Sequence, residues 1–203
     1  MRRLTLGSAA TLALAVSTAC ASGSYTNWKN PDAAPRTYER ISVIALAQDP
    51  QVRRTTENMF LRSATGQTKV VPSYTFTTAE DMKSKEAVLA KLRAAGVDGV
   101  VVFRVIAVDE RTSETVGVTG YATTPYYGGF GAYYGYYGVA TFGTVYTSKE
   151  QIVQIETTFY SVAEEKLVWV SQAKLDTPNS TLDVIEGIVD NAARAMKKEK
   201  LIQ

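Results

Sequence analysis

Ile41-Ser42-Val43-Ile44-Ala45-Leu46-Ala47 is a short, nearly continuous apolar run, and Gln48-Asp49-Pro50 follows it at once. Such a run is the pattern of a strand buried on both faces of a sheet. Asp49 ahead of Pro50 places a capping side chain before a proline at the first helical position. The two together read as strand then helix, the helix running from about 50 to 64 with Met59, Phe60 and Ala64 on its buried side and Gly66 closing it. A second strand is expected at about 68–74, and Thr78-Ala79-Glu80-Asp81 then opens a second helix in the manner of a capping box. Val88, Leu89 and Leu92 give that helix its apolar stripe and Gly96 ends it. Val100-Val101-Val102-Phe103 lies at the centre of a third strand over 97–108, so strand and helix alternate as in an α/β layer with parallel pairing.

Further along, 152–162 alternates with Val153, Ile155, Thr157 and Phe159 on one side, and 167–175 with Leu167, Trp169, Ala173 and Leu175. Ala163-Glu164-Glu165-Lys166 between them makes an antiparallel hairpin. Ser180-Thr181-Leu182-Asp183 caps a last helix in which Leu182, Ile185, Val189, Ala192 and Met196 recur at steps of three and four, a stripe read as core packing. The expected fold is α/β, a single three-layer or two-layer domain: β-α-β-α-β, a Tyr/Gly-rich loop, an antiparallel β-hairpin and a C-terminal helix.

Ahead of this domain stands an export signal. Arg2 and Arg3 precede an apolar stretch from Leu4 to Val16, too short to span a bilayer, and small residues lead to Cys20, the one cysteine of the chain. Cys20 is read as the acylated cysteine of a lipoprotein, with residues 1–19 as signal peptide. Ser17 stands where an aliphatic residue is usual, so the motif is met in a relaxed form; the alternative is an ordinary secretory signal cut after Ala19 or Ala21. Ala21 follows the cysteine where an aspartate commonly signals inner-membrane retention, which points to the periplasmic face of the outer membrane. Residues 20–36, rich in Ser, Asn, Ala and Pro, are read as a tether and 37–203 as the domain; Trp28 is read as packing back on the domain, the alternative being a place at the membrane interface.

Composition excludes several kinds of chemistry. Loss of Arg2 and Arg3 with the signal leaves 20 basic and 20 acidic residues, so nothing argues for a phosphate-neutralising, nucleic-acid-binding surface. The chain has no histidine, and lipid would occupy its only thiol, which removes the imidazole and thiol triads, thiolate or imidazole zinc sites and disulfides. No cofactor or metal is expected. Arg53, Arg54 and Glu57 form a charged cluster at the first helix, read as a surface ion pair at spacing four rather than an anion site. Gly96-Val97-Asp98-Gly99 is read as an ordinary helix-to-strand turn, and neither Glu80 with Asp81 nor Glu164 with Glu165 has the apolar surroundings of a catalytic acid.

The least ordinary stretch is 115–148, which carries no charge. It holds Tyr121, Tyr126, Tyr127, Tyr133, Tyr134, Tyr136 and Tyr137, the candidate partner-binding residues, and eight of the 14 glycines. Three readings stand: a mobile hairpin loop, an aromatic surface for a protein or glycan partner, or a membrane-inserting hairpin, since Thr115–Thr124 and Val139–Ser148 approach the ~9–11 residues of a transmembrane strand.

Trp28, Arg53-Arg54-Thr55-Thr56-Glu57, Pro72-Ser73-Tyr74, Gly96-Val97-Asp98-Gly99-Val100, the tyrosine and glycine loop, Glu156-Thr157 and Lys166-Leu167-Val168-Trp169 together resemble a widespread group of uncharacterised Gram-negative envelope lipoproteins. The element order is more distantly similar to lipoproteins that activate penicillin-binding proteins or secrete curli. The resemblance implies an envelope lipoprotein without an assigned reaction. The expectation is a lipid-anchored periplasmic protein, not an enzyme, acting as a binding or scaffolding module for an envelope protein or glycan; the alternative is an oligomeric pore or secretion component using the uncharged hairpin.

Overall fold

The computed structural model describes residues 23–111, 150–176 and 180–203. Strands β1 (Gly23–Lys29), β2 (Arg40–Leu46), β3 (Lys69–Pro72), β4 (Gly99–Arg111), β5 (Glu150–Ser161) and β6 (Lys166–Asp176) form one mixed sheet in the order β1-β6-β5-β4-β2-β3. β2 runs parallel to both β3 and β4, and the remaining neighbours are antiparallel. Helix α1 (Pro50–Ser63) crosses from β2 to β3, α2 (Lys85–Ala94) leads into β4, and α3 (Thr181–Lys198) follows β6.

The apolar run of β4 explains the layers. Val100, Val101, Val102 and Phe103 alternate between faces and all four are buried. Val101 and Phe103 pack in one cluster with Phe60 of α1 and Ile185, Val189 and Met196 of α3. Val100 and Val102 pack on the other face with Val88, Leu89 and Leu92 of α2. The domain is therefore three-layered, with α1 and α3 on one face and α2 on the other.

Local signals act where expected. Asp49 Oδ1 accepts from Gln51 N at 2.7 Å, capping α1. Gly96 takes φ 65° at the end of α2 and lets Val97 N reach back to Leu92 O at 3.0 Å, a Schellman closure that needs a residue without Cβ strain. Gly99 is required for a different reason. A Cβ there would stand 2.5 Å from the Phe159 ring and 2.9 Å from that of Tyr38, which meet edge to face at 4.7 Å over the bare backbone.

Four details depart from the sequence reading. β1 lies within the segment read as a tether and pairs along its whole length with β6, from Gly23 opposite Leu175 to Lys29 opposite Trp169. Its one-sided ladder is satisfied by backbone bonds, so no apolar alternation marked it. Secondly, the Thr78-Asp81 box closes only a single turn, Asp81–Lys83, and α2 starts later under its own cap, with Ala87 N donating to Ser84 Oγ at 3.3 Å. Thirdly, Leu167 does not share a face with Trp169. Phe159 pairs with Trp169 and Tyr160 with Leu167, so Val168 is an extra residue, and this bulge turns Leu167 toward α2 while Val168 and Trp169 face α3. Fourthly, Leu182 is 55% exposed, and Val184, Ile188 and Ala193 join the buried stripe of α3.

Two outcomes follow. Trp169 is fully buried, so Trp169→Ala should lower stability by about 3–5 kcal/mol in urea unfolding; an unchanged midpoint would contradict its place in the core. Glu165, at the hairpin turn with φ 52°, binds Arg93 at 2.7 Å and Lys85 at 3.3 Å, and these partners hold its carboxyl below the ordinary 4.5. A depressed folded value gives stabilisation that is complete above the unfolded value and lost as pH falls through the folded one. The difference in urea midpoint between the protein and Glu165→Gln should thus exist at neutral pH and close in acid below 4.5.

Candidate functional site

Cys20 and the seven tyrosines from Tyr121 to Tyr137 lie outside the described residues; the positions at which the chain leaves for them are described. Gly23 stands opposite Leu175, Leu175 opposite Val153, and Val153 opposite Val108, which makes one row across four strands. The β4–β5 ladder continues in the same direction to its last rung, Arg111 opposite Glu150. The connection 112–149 therefore departs from the end of the sheet where β1 begins. β6 also ends here at Asp176, and α3 starts from this end after Ser180.

The α1–α3 side of this pole carries an apolar step. β4 runs on to Arg111 after its last pairing with β2, at Arg104, so the sheet narrows. In the step between α1 and α3 lies a cleft of about 30 Å³, lined by Leu46, Ala47 and Val52 at its half-buried rim and by Phe103, Val105 and Ile188 deeper in. Such a volume holds about two waters at most and offers them almost no polar partners. Val108 and Leu182, two of four large apolar side chains with substantial exposure among the described residues, also lie at this end.

The charged residues singled out from the sequence serve the fold. Arg53 and Glu57 do pair, at 3.0 Å, but not on the surface: Glu57 is wholly buried. Its Oε1 accepts from Ala45 N, Arg53 Nε and Ser73 Oγ and its Oε2 from Tyr74 N, which ties the end of β2 to α1 and to the turn after β3. Arg53 Nη2 donates on to Ser73 Oγ at 2.8 Å and Thr77 Oγ1 at 2.7 Å. The spacing of four was legible; its burial was not, because Ser73 and Thr77 approach only through the β2–β3 crossover. Arg54 lies over the Tyr74 ring at 5.6 Å.

Asp98, read as part of a turn, is a latch. Its carboxylate accepts from Arg36 Nη2, Glu39 N and Arg40 N, each at 3.1 Å, and so fixes the entry into β2. Sequence reasoning passed over a third group, Arg104 with Glu156 and Gln172, whose signal was a charge in the middle of two apolar strands. These three stand side by side on β4, β5 and β6, on the sheet face away from α1 and α3. Arg104 Nη2 reaches Glu156 Oε1 at 2.9 Å and Gln172 Nε2 reaches Glu156 Oε2 at 3.2 Å. Asp81, held below its ordinary value by the amide and hydroxyl of Thr78, likewise closes a turn. Among the described residues no three His, Cys, Asp or Glu side chains gather as a metal site.

No family model matches the chain, and no curated protein does. Among solved structures it is distantly similar in fold to a PelC dodecamer from Paraburkholderia phytofirmans, with 12% identity over 90% of this chain and 100% of that one and a TM-score of 0.47. Lipoprotein GNA1162 from Neisseria meningitidis is similar at 13% identity over 78% of this chain and 98% of that one, with a TM-score of 0.39.

Breaking the buried pair tests its structural role. Glu57→Gln removes the charge facing Arg53 and turns an amide toward backbone donors, so urea unfolding should show a loss of about 3–5 kcal/mol. A change of a few tenths would place the pair on the surface, as the spacing alone suggested.

Proposed function

We propose that the chain is a lipid-anchored envelope protein, held by acylated Cys20 on the periplasmic face of the outer membrane, and that it acts there as a non-catalytic binding or scaffolding module. The observation that carries this reading is the position of Gly23. The sheet begins three residues after Cys20, and three extended residues reach only about 10 Å. An acyl chain on Cys20 would hold the pole of the domain against the bilayer, with no length of tether to let it range. Two or more acyl chains suffice for stable anchoring.

The non-catalytic part of the reading is supported by the polar groups described above. Four donors converge on Glu57, three on Asp98 and two on Glu156, so these carboxylates brace strands and turns. Binding is assigned to the tyrosines of 121–137, whose rings combine a large apolar face with a polar tip suited to a protein or glycan. Because the connection that carries them leaves from the anchored pole, their partner would be met close to the membrane. The second reading, a pore or secretion component, is favoured by one observation: the β4–β5 ladder reaches Arg111 and Glu150, close to the uncharged ten-residue stretches.

Cys20→Ser is expected to move the protein from the membrane to the soluble fraction; retention in the membrane would sink the anchor. Deleting 121–137 separates the two roles. A folded protein that no longer crosslinks its envelope partner supports binding, and loss of detergent-resistant oligomers supports the pore.

A further inference from the structure

We infer that the pole formed by Val108, Leu182 and the rim of the α1–α3 cleft is a surface that rests on zwitterionic lipid, so that the domain has one fixed orientation on the bilayer. This rests on the anchor reading above. Three features converge on the same end of the sheet: the leash from Cys20 enters at Gly23, the uncharged segment leaves at Arg111, and the apolar cleft opens beside them. The short leash decides the occupant. At about 10 Å from the acylated residue this end cannot avoid the headgroup region, whereas a soluble partner would have to enter between domain and membrane.

Exposure agrees with this. Val108 is 40% and Leu182 55% exposed, while Leu46, Ala47 and Val52 are half-buried around the cleft mouth. Single exposed apolar residues need no explanation, as Leu61 on α1 and Trp28 on β1 show. Val108 and Leu182 differ because each stands where its element meets the pole: Val108 shares a face with Val153, and Leu182 lies in the first turn of α3. Charges of both signs flank the rim, Asp49 before α1 and Asp183 in the first turn of α3 beside Arg53, Arg54 and Lys174, so no basic patch draws this end to anionic headgroups in preference to neutral ones. At the other end Lys197 and Lys200 flank an open groove with Thr37 and Thr65.

The test uses the acylated full-length protein in phosphatidylcholine vesicles. An environment-sensitive fluorophore is attached to Leu182→Cys, to Val108→Cys, and to Gln67→Cys at the far pole; acylation leaves Cys20 without a thiol. Vesicle flotation reports the anchor, and quenching by nitroxide lipids reports the surface. The expected result is several-fold stronger quenching at 182 and 108 than at 67, with no strengthening when half the lipid is phosphatidylglycerol; a several-fold strengthening there would overturn the preference for zwitterionic lipid. Equal quenching at all three sites in protein that still floats would overturn the orientation and leave the anchor intact. Protein that does not float removes the anchor and this inference with it. A blue-shifted signal at 182 in lipid-free Cys20→Ser protein would show that a second copy covers the pole, which also overturns it.

Discussion

β4 lies between a parallel neighbour and an antiparallel one, and Val100, Val101, Val102 and Phe103 are apolar on both of its faces. A strand of that kind is stable only if both faces are covered. That requirement places α1 and α3 against one side and α2 against the other, and the remaining strands extend the sheet outward from it. The edges are then β3, which ends in Pro72, and β1, which carries little apolar surface. The sheet is parallel where helices supply the crossovers, and β5 and β6 run antiparallel across the tight turn between them.

Polar groups do the fastening that apolar packing cannot. Glu57 draws backbone amides from two separate segments onto one buried carboxylate, and Arg53 binds the hydroxyls beside it. Asp98 does the same at the opposite end of β2, for Glu39 and Arg40. The two ends of one central strand are thereby held in register by acceptors that lie outside it. A buried ion pair of this sort is poor evidence for net stability and better evidence for a unique arrangement, since removing either partner leaves the other uncompensated.

The same arrangement gives the domain two unlike ends. Strands β4 and β5 outrun β2 at one end, leaving an apolar step between α1 and α3, and the chain leaves there for the uncharged segment. The opposite end carries Lys197, Lys200 and the backbone of Gln203, which bonds Thr68. A molecule with such polarity suits attachment at one end.

Where periodicity and local caps govern the outcome, reading the residues was enough. The apolar run of Ile41–Leu46, the Asp49-Pro50 cap, the Gly96 closure, the 163–166 hairpin and the Ser180 cap depend on neighbours within a few positions, and each element formed close to its expected bounds. The exclusion of imidazole chemistry was likewise a matter of inventory. What escaped depended on partners far along the chain. β1 is a strand because β6 offers it a free ladder, not because Gly23–Lys29 alternates. Leu167 turned to the other face because one extra residue at Val168 reverses the two-residue period. Arg53 and Glu57 became a buried network because the β2–β3 crossover brought Ser73 and Thr77 onto them. The coincidence of Gly23, the apolar cleft and the end of the β4–β5 ladder at one pole could be decided only by the tertiary structure, since it rests on the register of four strands whose paired residues Gly23 and Leu175 lie 152 positions apart.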